Sequence, residues 1–102
     1  MRLIGQDVLV KAIRKHADVK KWIEAWILTV EDAQWRSLDD VQSDYPSTDG
    51  VKLESEIIVT AFNTKGNAYR LLTSINYVGQ VVLVLELITH AKYDREKWKG
   101  RY

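Results

Sequence analysis

The residues best equipped for chemistry gather in the second half of the chain. Thr89-His90-Ala91-Lys92-Tyr93-Asp94 follows a long apolar run and sets several reactive side chains close together. A histidine titrates near neutral pH and serves as general acid or base. Tyr93 donates or accepts a proton, Asp94 orients a neighbour, and Lys92 is cationic. Together they suit cleavage of a phosphodiester. The plain alternative is a histidine that closes a strand end by bonding to backbone, and His90 by itself does not separate the two. His16, at the end of a helical pattern, reads as a structural histidine set against the helix dipole.

A second stretch, Asn63-Thr64-Lys65-Gly66-Asn67, has the composition of a polar turn. Gly66 permits a backbone conformation closed to other residues, and Asn63 and Asn67 tolerate left-handed geometry. Lys65 would hold a free ammonium at the tip, suited to a single phosphate oxygen, and Arg70 offers a bidentate fork. A solubilising hairpin loop explains the same residues. The ending interleaves aromatics and cations: Tyr93, Lys97, Trp98, Lys99, Arg101 and Tyr102. RNA is held by stacking and by phosphate contacts, so this pattern suits RNA. Trp98 reads as a core residue and the cations as surface.

Charge points the same way. Residues 1–62 carry 8 basic and 11 acidic side chains, whereas residues 63–102 carry 7 and 3. A polyanion is drawn to the second part, although a solvated basic tail accounts for the numbers equally well. No cysteine is present, which excludes thiol catalysis and cysteine-built zinc sites. The two histidines lie far apart, so neither a metal nor another cofactor is expected. The longest apolar run, Val81 to Ile88, is strand-sized and carries Glu86, too short for a bilayer span. With no signal-like N-terminus, the reading is a cytoplasmic protein without a membrane partner.

The elements that must position these residues follow from periodicity. Val8, Leu9, Ala12 and Ile13 recur at helical spacing after Asp7. A second helix begins after Asp18 and carries Val19, Trp22, Ile23, Trp26, Ile27 and Val30 on one stripe. Trp22, Trp26 and Trp35 read as packing residues. Ser37 and Asp40 resemble a capping box for a short helix to about Asp44. Pro46, Ser47, Asp49 and Gly50 mark a loop. Three strands follow, Glu56 to Phe62, Tyr69 to Tyr77 and Val81 to Thr89, joined as an antiparallel meander. The last two are apolar on both faces and belong in the middle of a sheet. A short helix or turn is expected around Asp94 to Lys99.

The expected fold is α+β in one domain, residues 1–102. Residues 1–45 are mainly helical and pack on a small antiparallel sheet of residues 55–90, and residues 91–102 form a basic C-terminal segment. Register decides whether Arg70 and His90 share a site. A three-residue loop, Val78 to Gln80, puts Arg70 on the sheet face of Glu86, Ile88 and His90. A two-residue loop puts it on the opposite face.

Taken in order, Phe62-Asn63-Thr64-Lys65-Gly66-Asn67-Ala68-Tyr69-Arg70-Leu71, Ile75-Asn76-Tyr77 and Thr89-His90-Ala91-Lys92-Tyr93-Asp94 resemble the HigB family of toxins, within the RelE-like fold. The likeness begins near Tyr45-Pro46-Ser47 on the N-terminal side of these motifs. The helical first part, with Trp35 before the short helix, is similar as well, so nearly the whole chain is covered. The resemblance implies a type II toxin that cleaves messenger RNA, usually on the translating ribosome. It also implies a partner antitoxin with a helix-turn-helix DNA-binding domain.

The matching positions carry the implied roles: Lys65, Asn67 and Arg70 from the turn motif, and His90, Tyr93 and Asp94 from the second. Of these, Lys65, Arg70, His90 and Tyr93 are the catalytic candidates. Asn67, Lys92, Asp94, Arg95, Lys97 and Lys99 are the RNA-binding candidates. Attack by the 2′-hydroxyl on the adjacent phosphate needs a base, an acid and cations but no metal. A non-catalytic RNA- or protein-binding module of the same fold is the alternative. A metal-dependent nuclease is disfavoured, because the carboxylates show no clustered ligand spacing.

Overall fold

A computed structural model describes residues 1–102. The chain opens with a short strand, β1 (Arg2–Ile4), followed by α1 (Gln6–Lys15), a 3-10 turn (Ala17–Val19), α2 (Lys20–Asp32) and α3 (Leu38–Asp44). The strands β2 (Asp49–Lys52), β3 (Ile58–Thr64), β4 (Tyr69–Asn76) and β5 (Val81–Thr89) come next. A one-turn helix, α4 (His90–Asp94), and a second 3-10 turn (Lys97–Arg101) complete it. No helix is long and apolar enough to cross a membrane.

The α+β reading holds, and the sheet is larger than periodicity alone suggests. It has five strands in the order β1-β5-β4-β3-β2, with β1 parallel to β5 and the other pairs antiparallel. Asp49 and Gly50, expected in a loop, lie instead in β2, where they pair with Ala61 and Thr60. Turn-forming residues took strand geometry there because β3 offered a ladder for their backbone. At the other edge Gly5, at φ 94°, lets the chain swing from β1 into α1 close against β5. A side chain there would place its Cβ 2.9 Å from the carbonyl oxygen of Val84.

The predicted helices form where the apolar stripes lie. Leu9, Ile23, Trp26 and Val30 press against Phe62, Leu71, Val82 and Val84 on one face of the sheet. Trp26 meets Phe62 edge-on with centroids 5.4 Å apart, a favoured aromatic geometry. The expected capping box on α3 is reworked. Ser37 flanks the helix without a side-chain cap, and Asp40 accepts a 2.8 Å bond from the backbone N–H of Arg36. The second sheet face is also buried. Leu53, Val59, Ala61, Leu72 and Ile88 are covered by Trp98 from the C-terminal segment, with Tyr93 and Tyr102 beside it.

Register at the β4–β5 hairpin is set by two features acting together. Asn76 pairs with Val81, so four residues, Tyr77 to Gln80, form the loop. An even loop alone would put Arg70 and Ile88 on opposite faces. A bulge intervenes: Thr73 pairs with Val84 but Leu72 pairs with Glu86, leaving Leu85 extra. One inserted residue shifts the pairing by one and restores the face. Arg70 therefore pairs with Ile88, on the side covered by the C-terminal segment. The three-residue loop is corrected to a four-residue one, and the bulge does what that loop would have done.

Candidate active site

Pairing brings the two chemically rich stretches together at one end of the sheet. Tyr69 pairs with Thr89, and the backbone N–H of His90 continues the ladder with a 3.0 Å bond to the carbonyl of Ala68. The 65–68 turn and α4 are thereby stitched side by side. His90 opens α4 rather than ending β5, and the final helical turns lie at His90–Asp94 and Lys97–Arg101 rather than at 94–99. Thr89 makes the switch from strand to helix. Its hydroxyl accepts from the backbone N–H of Lys92 and caps the turn.

Helical spacing then pairs His90 with Asp94. Asp94 Oδ2 lies 3.1 Å from His90 Nε2, and both side chains are partly exposed. His90 Nδ1 is buried without a protein partner. Of the two ring nitrogens, Nε2 is thus the one on the partly exposed side, and it is paired with Asp94.

Arg70 and Tyr93 form the floor beside this pair. The Arg70 guanidinium carbon sits 5.3 Å from the Tyr93 ring centroid, within cation–π range. Arg70 donates through Nη2 to Asn67 Oδ1 at 2.7 Å and through Nη1 to the carbonyls of Tyr69 and Asn67. It is only 7% exposed, and its Nε is buried without a partner. The free fork expected from sequence is thus largely engaged with its own turn. Its charge remains beneath Tyr93, where reduced solvation strengthens its reach. Burial raises the Tyr93 pKa above the ordinary tyrosine value, and the Asp49 carboxylate adds to the rise against the opposing Arg70. Tyr93 thus keeps its proton at neutral pH and is a donor.

Asp49 was missed by sequence reasoning, where it served only as a loop marker. Strand pairing alone brings it near Tyr93, because Asp49 faces Ala61 on the buried side of β3. Trp98 supports the group from above. It stacks on Tyr93 with centroids 5.3 Å apart and donates through Nε1 to the Tyr93 carbonyl at 3.0 Å.

Lys65 is not brought into this cluster. Its Nζ lies 3.1 Å from Asp18 Oδ2, on the helical side of the sheet, and Asp18 also accepts from the Tyr69 hydroxyl. Tyr69 in turn packs against His16, so His16 serves the helix–sheet junction. Left-handed backbone at the tip falls on Lys65 and Gly66 rather than on the asparagines. The hydrogen bond from Lys65, helped by Tyr69, lowers the Asp18 pKa despite some desolvation. A carboxylate with a lowered folded pKa stabilises the fold above its unfolded pKa and loses that effect as pH falls through the folded value. Asp18→Asn is therefore expected to lower the urea midpoint at neutral pH. The gap to wild type should close below the ordinary carboxylate range. A gap independent of pH would show that the ion pair is not its source.

The remaining RNA-binding candidates flank the site. Lys92, Arg95 and Lys97 border a cleft of about 310 Å³ beside Trp98 and Ile88. Lys99 turns away, paired with Glu96 at 3.0 Å. Glu86, another residue that the sequence did not single out, lies on the cleft floor and pairs with Arg101 and the Tyr102 hydroxyl. Burial and the Glu86 carboxylate push the Tyr102 pKa up to about 12, so it is a neutral donor.

Comparison with known proteins agrees with this architecture. The chain is 28% identical over 94 residues, 92% of its own length and 88% of the relative's, to the mRNA interferase toxin HigB of Escherichia coli K12. The mRNA interferases HigB of Escherichia coli O157:H7 and Shigella flexneri show the same identity and coverage. Residues 19–96 match the family profile described as the RelE-like toxic component of a toxin–antitoxin system. Those residues span α2 through α4, including the whole His90–Arg70–Tyr93 cluster, and the chain belongs to the HigB toxin family.

Proposed function

We propose that the protein is an endoribonuclease that cleaves messenger RNA, held in check by a cognate helix-turn-helix antitoxin in the cytoplasm. The observation that carries this reading is the convergence of His90, Asp94, Tyr93 and Arg70 at one end of the sheet. The relatives named as mRNA interferases give it a substrate. RNA supplies its own nucleophile, the 2′-hydroxyl, so the protein has to manage protons and charge alone.

His90 Nε2 exchanges the proton, as base toward the 2′-hydroxyl or as acid toward the leaving 5′ oxygen. Tyr93 donates a hydrogen bond to the phosphate or the leaving oxygen. Arg70, beneath the Tyr93 ring, offsets the charge that grows on phosphorus. Asn67 fixes the Arg70 fork, and Asp94, which holds His90 Nε2 in the free protein, gives way there to the substrate oxygen. Lys92, Arg95 and Lys97 hold the flanking backbone, with Lys99 at the margin. Lys65 joins only by leaving Asp18, and its part in this reading is phosphate binding from the turn. The small, exposed site suits a message presented in extended form, which the translating ribosome provides.

Growth arrest on expression without the antitoxin is the first expected result. Purified protein should then cut ribosome-bound message to fragments ending in a cyclic phosphate. A single 2′-deoxy substitution at the cut position should abolish cutting there. Arrest and RNA binding without any new fragment ends would instead favour the binding module.

A further inference from the structure

Two clefts on opposite sides of the sheet meet at Glu86. Pairing of β1 with β5 stops at Ile4 and Leu83, so the remainder of β5 has no strand partner on that side and α1 runs beside it. Lys11 and Lys15 lie one helical turn apart on α1 and border a cleft of about 180 Å³ that reaches Glu86 and Leu87. On the other side, the cleft bordered by Lys92, Arg95 and Lys97 reaches the same Glu86. None of these five cations has an ion-pair partner in the protein. Glu86, the one carboxylate bordering both clefts, is occupied by Arg101 and Tyr102.

We infer that the two clefts form one track for the sugar–phosphate backbone of RNA, running from α4 past Glu86 at the β5 edge to Lys11 and Lys15 on α1. The inference rests on the ribonuclease reading and extends it to residues in the part of the chain that is acidic by composition. A polyanion laid along unpaired cations gains the release of its condensed counterions, and each neutralised phosphate adds to that gain. The pairing of Glu86 with Arg101 and Tyr102 offsets the one carboxylate that lines the two clefts. An acidic segment of the antitoxin would meet the same cations and is the rival occupant. RNA is favoured because the track begins beside the cluster that would cut it.

The test compares the full-length wild type with Lys11→Ala/Lys15→Ala and, as a charge-matched control, Lys20→Ala/Lys21→Ala on the exposed side of α2. The probes are a fluorescent 2′-O-methyl oligonucleotide long enough to reach α1 and a trinucleotide confined to the site. The α1 variant should bind the long probe about tenfold more weakly at low salt. Its slope of log affinity against log salt should fall by about 1.4, near 0.7 for each lost phosphate contact on a single strand. Trinucleotide binding and the control variant should match wild type. Unchanged long-probe affinity and slope in the α1 variant would overturn the track alone. Failure of wild type to bind either probe would also overturn the track, while cleavage of ribosome-bound message decides the ribonuclease reading separately. Loss of antitoxin affinity without loss of RNA affinity would assign the surface to the antitoxin and also overturn the track.

Discussion

Replacement of His90 by alanine is expected to lower RNA cleavage by about 10²–10⁴-fold, the range for removing a positioned acid–base group. The fold should survive. The bond that ties this residue to the 65–68 turn comes from its backbone N–H, which alanine keeps. The lost side-chain contact is a partly exposed pair with Asp94, and such pairs contribute about 0–1 kcal/mol at most. Single-turnover cleavage of a fixed message, beside a urea titration of both proteins, separates the two effects. Asp94→Asn should keep the ring and weaken its orientation in the free protein, giving a smaller loss of rate. A wild-type rate in His90→Ala would remove His90 from the chemistry and leave Tyr93 and Arg70 to account for it.

Truncating Trp98 should have the largest effect on stability, about 3–5 kcal/mol for a buried tryptophan replaced by alanine. Trp98 is 1% exposed and plugs the second sheet face above Leu53, Val59, Leu72 and Ile88. Its removal opens a cavity there and also takes away the stacking partner of Tyr93. Chemical denaturation should therefore show a marked drop in midpoint for Trp98→Ala and a smaller one for Trp98→Phe. Cleavage should fall as well, because Tyr93 and the Arg70 charge beneath it lose their support. An unchanged midpoint would mean that the C-terminal segment contributes little to closing this face. A lowered midpoint with full activity would mean that Tyr93 does not depend on the stack.

The contrast between these two residues also tells what kind of information each needed. His90 stood out as a candidate because an ionisable ring after a long apolar strand is chemically conspicuous, and its spacing to Asp94 is local. Trp98 was legible as a core residue, but which face it covers depends on β2 and β3 coming together. The presence of α1 and α2 and the extent of β5 followed from side-chain periodicity, which is written in consecutive residues. β2 was not legible, since Asp49 and Gly50 favour turns and became strand only by pairing with β3. β1 spans three residues, too few for any period, and owes its place to a parallel partner nearly eighty residues away.

Residue type and spacing, then, determined the chemistry available to this protein: a histidine with its carboxylate, a tyrosine, an arginine and a cationic ending, carried on helices followed by strands. Tertiary structure alone decided which of them meet. The bulge at Leu85 reverses the effect of an even loop and turns Arg70 toward the face where Tyr93 and Trp98 lie, whereas Asp18 draws Lys65 to the other. The physical reason is that strand pairing has a period of two, so one unpaired residue anywhere along the hairpin exchanges the faces. A local reading of sequence sees the turn but not the slip that corrects it.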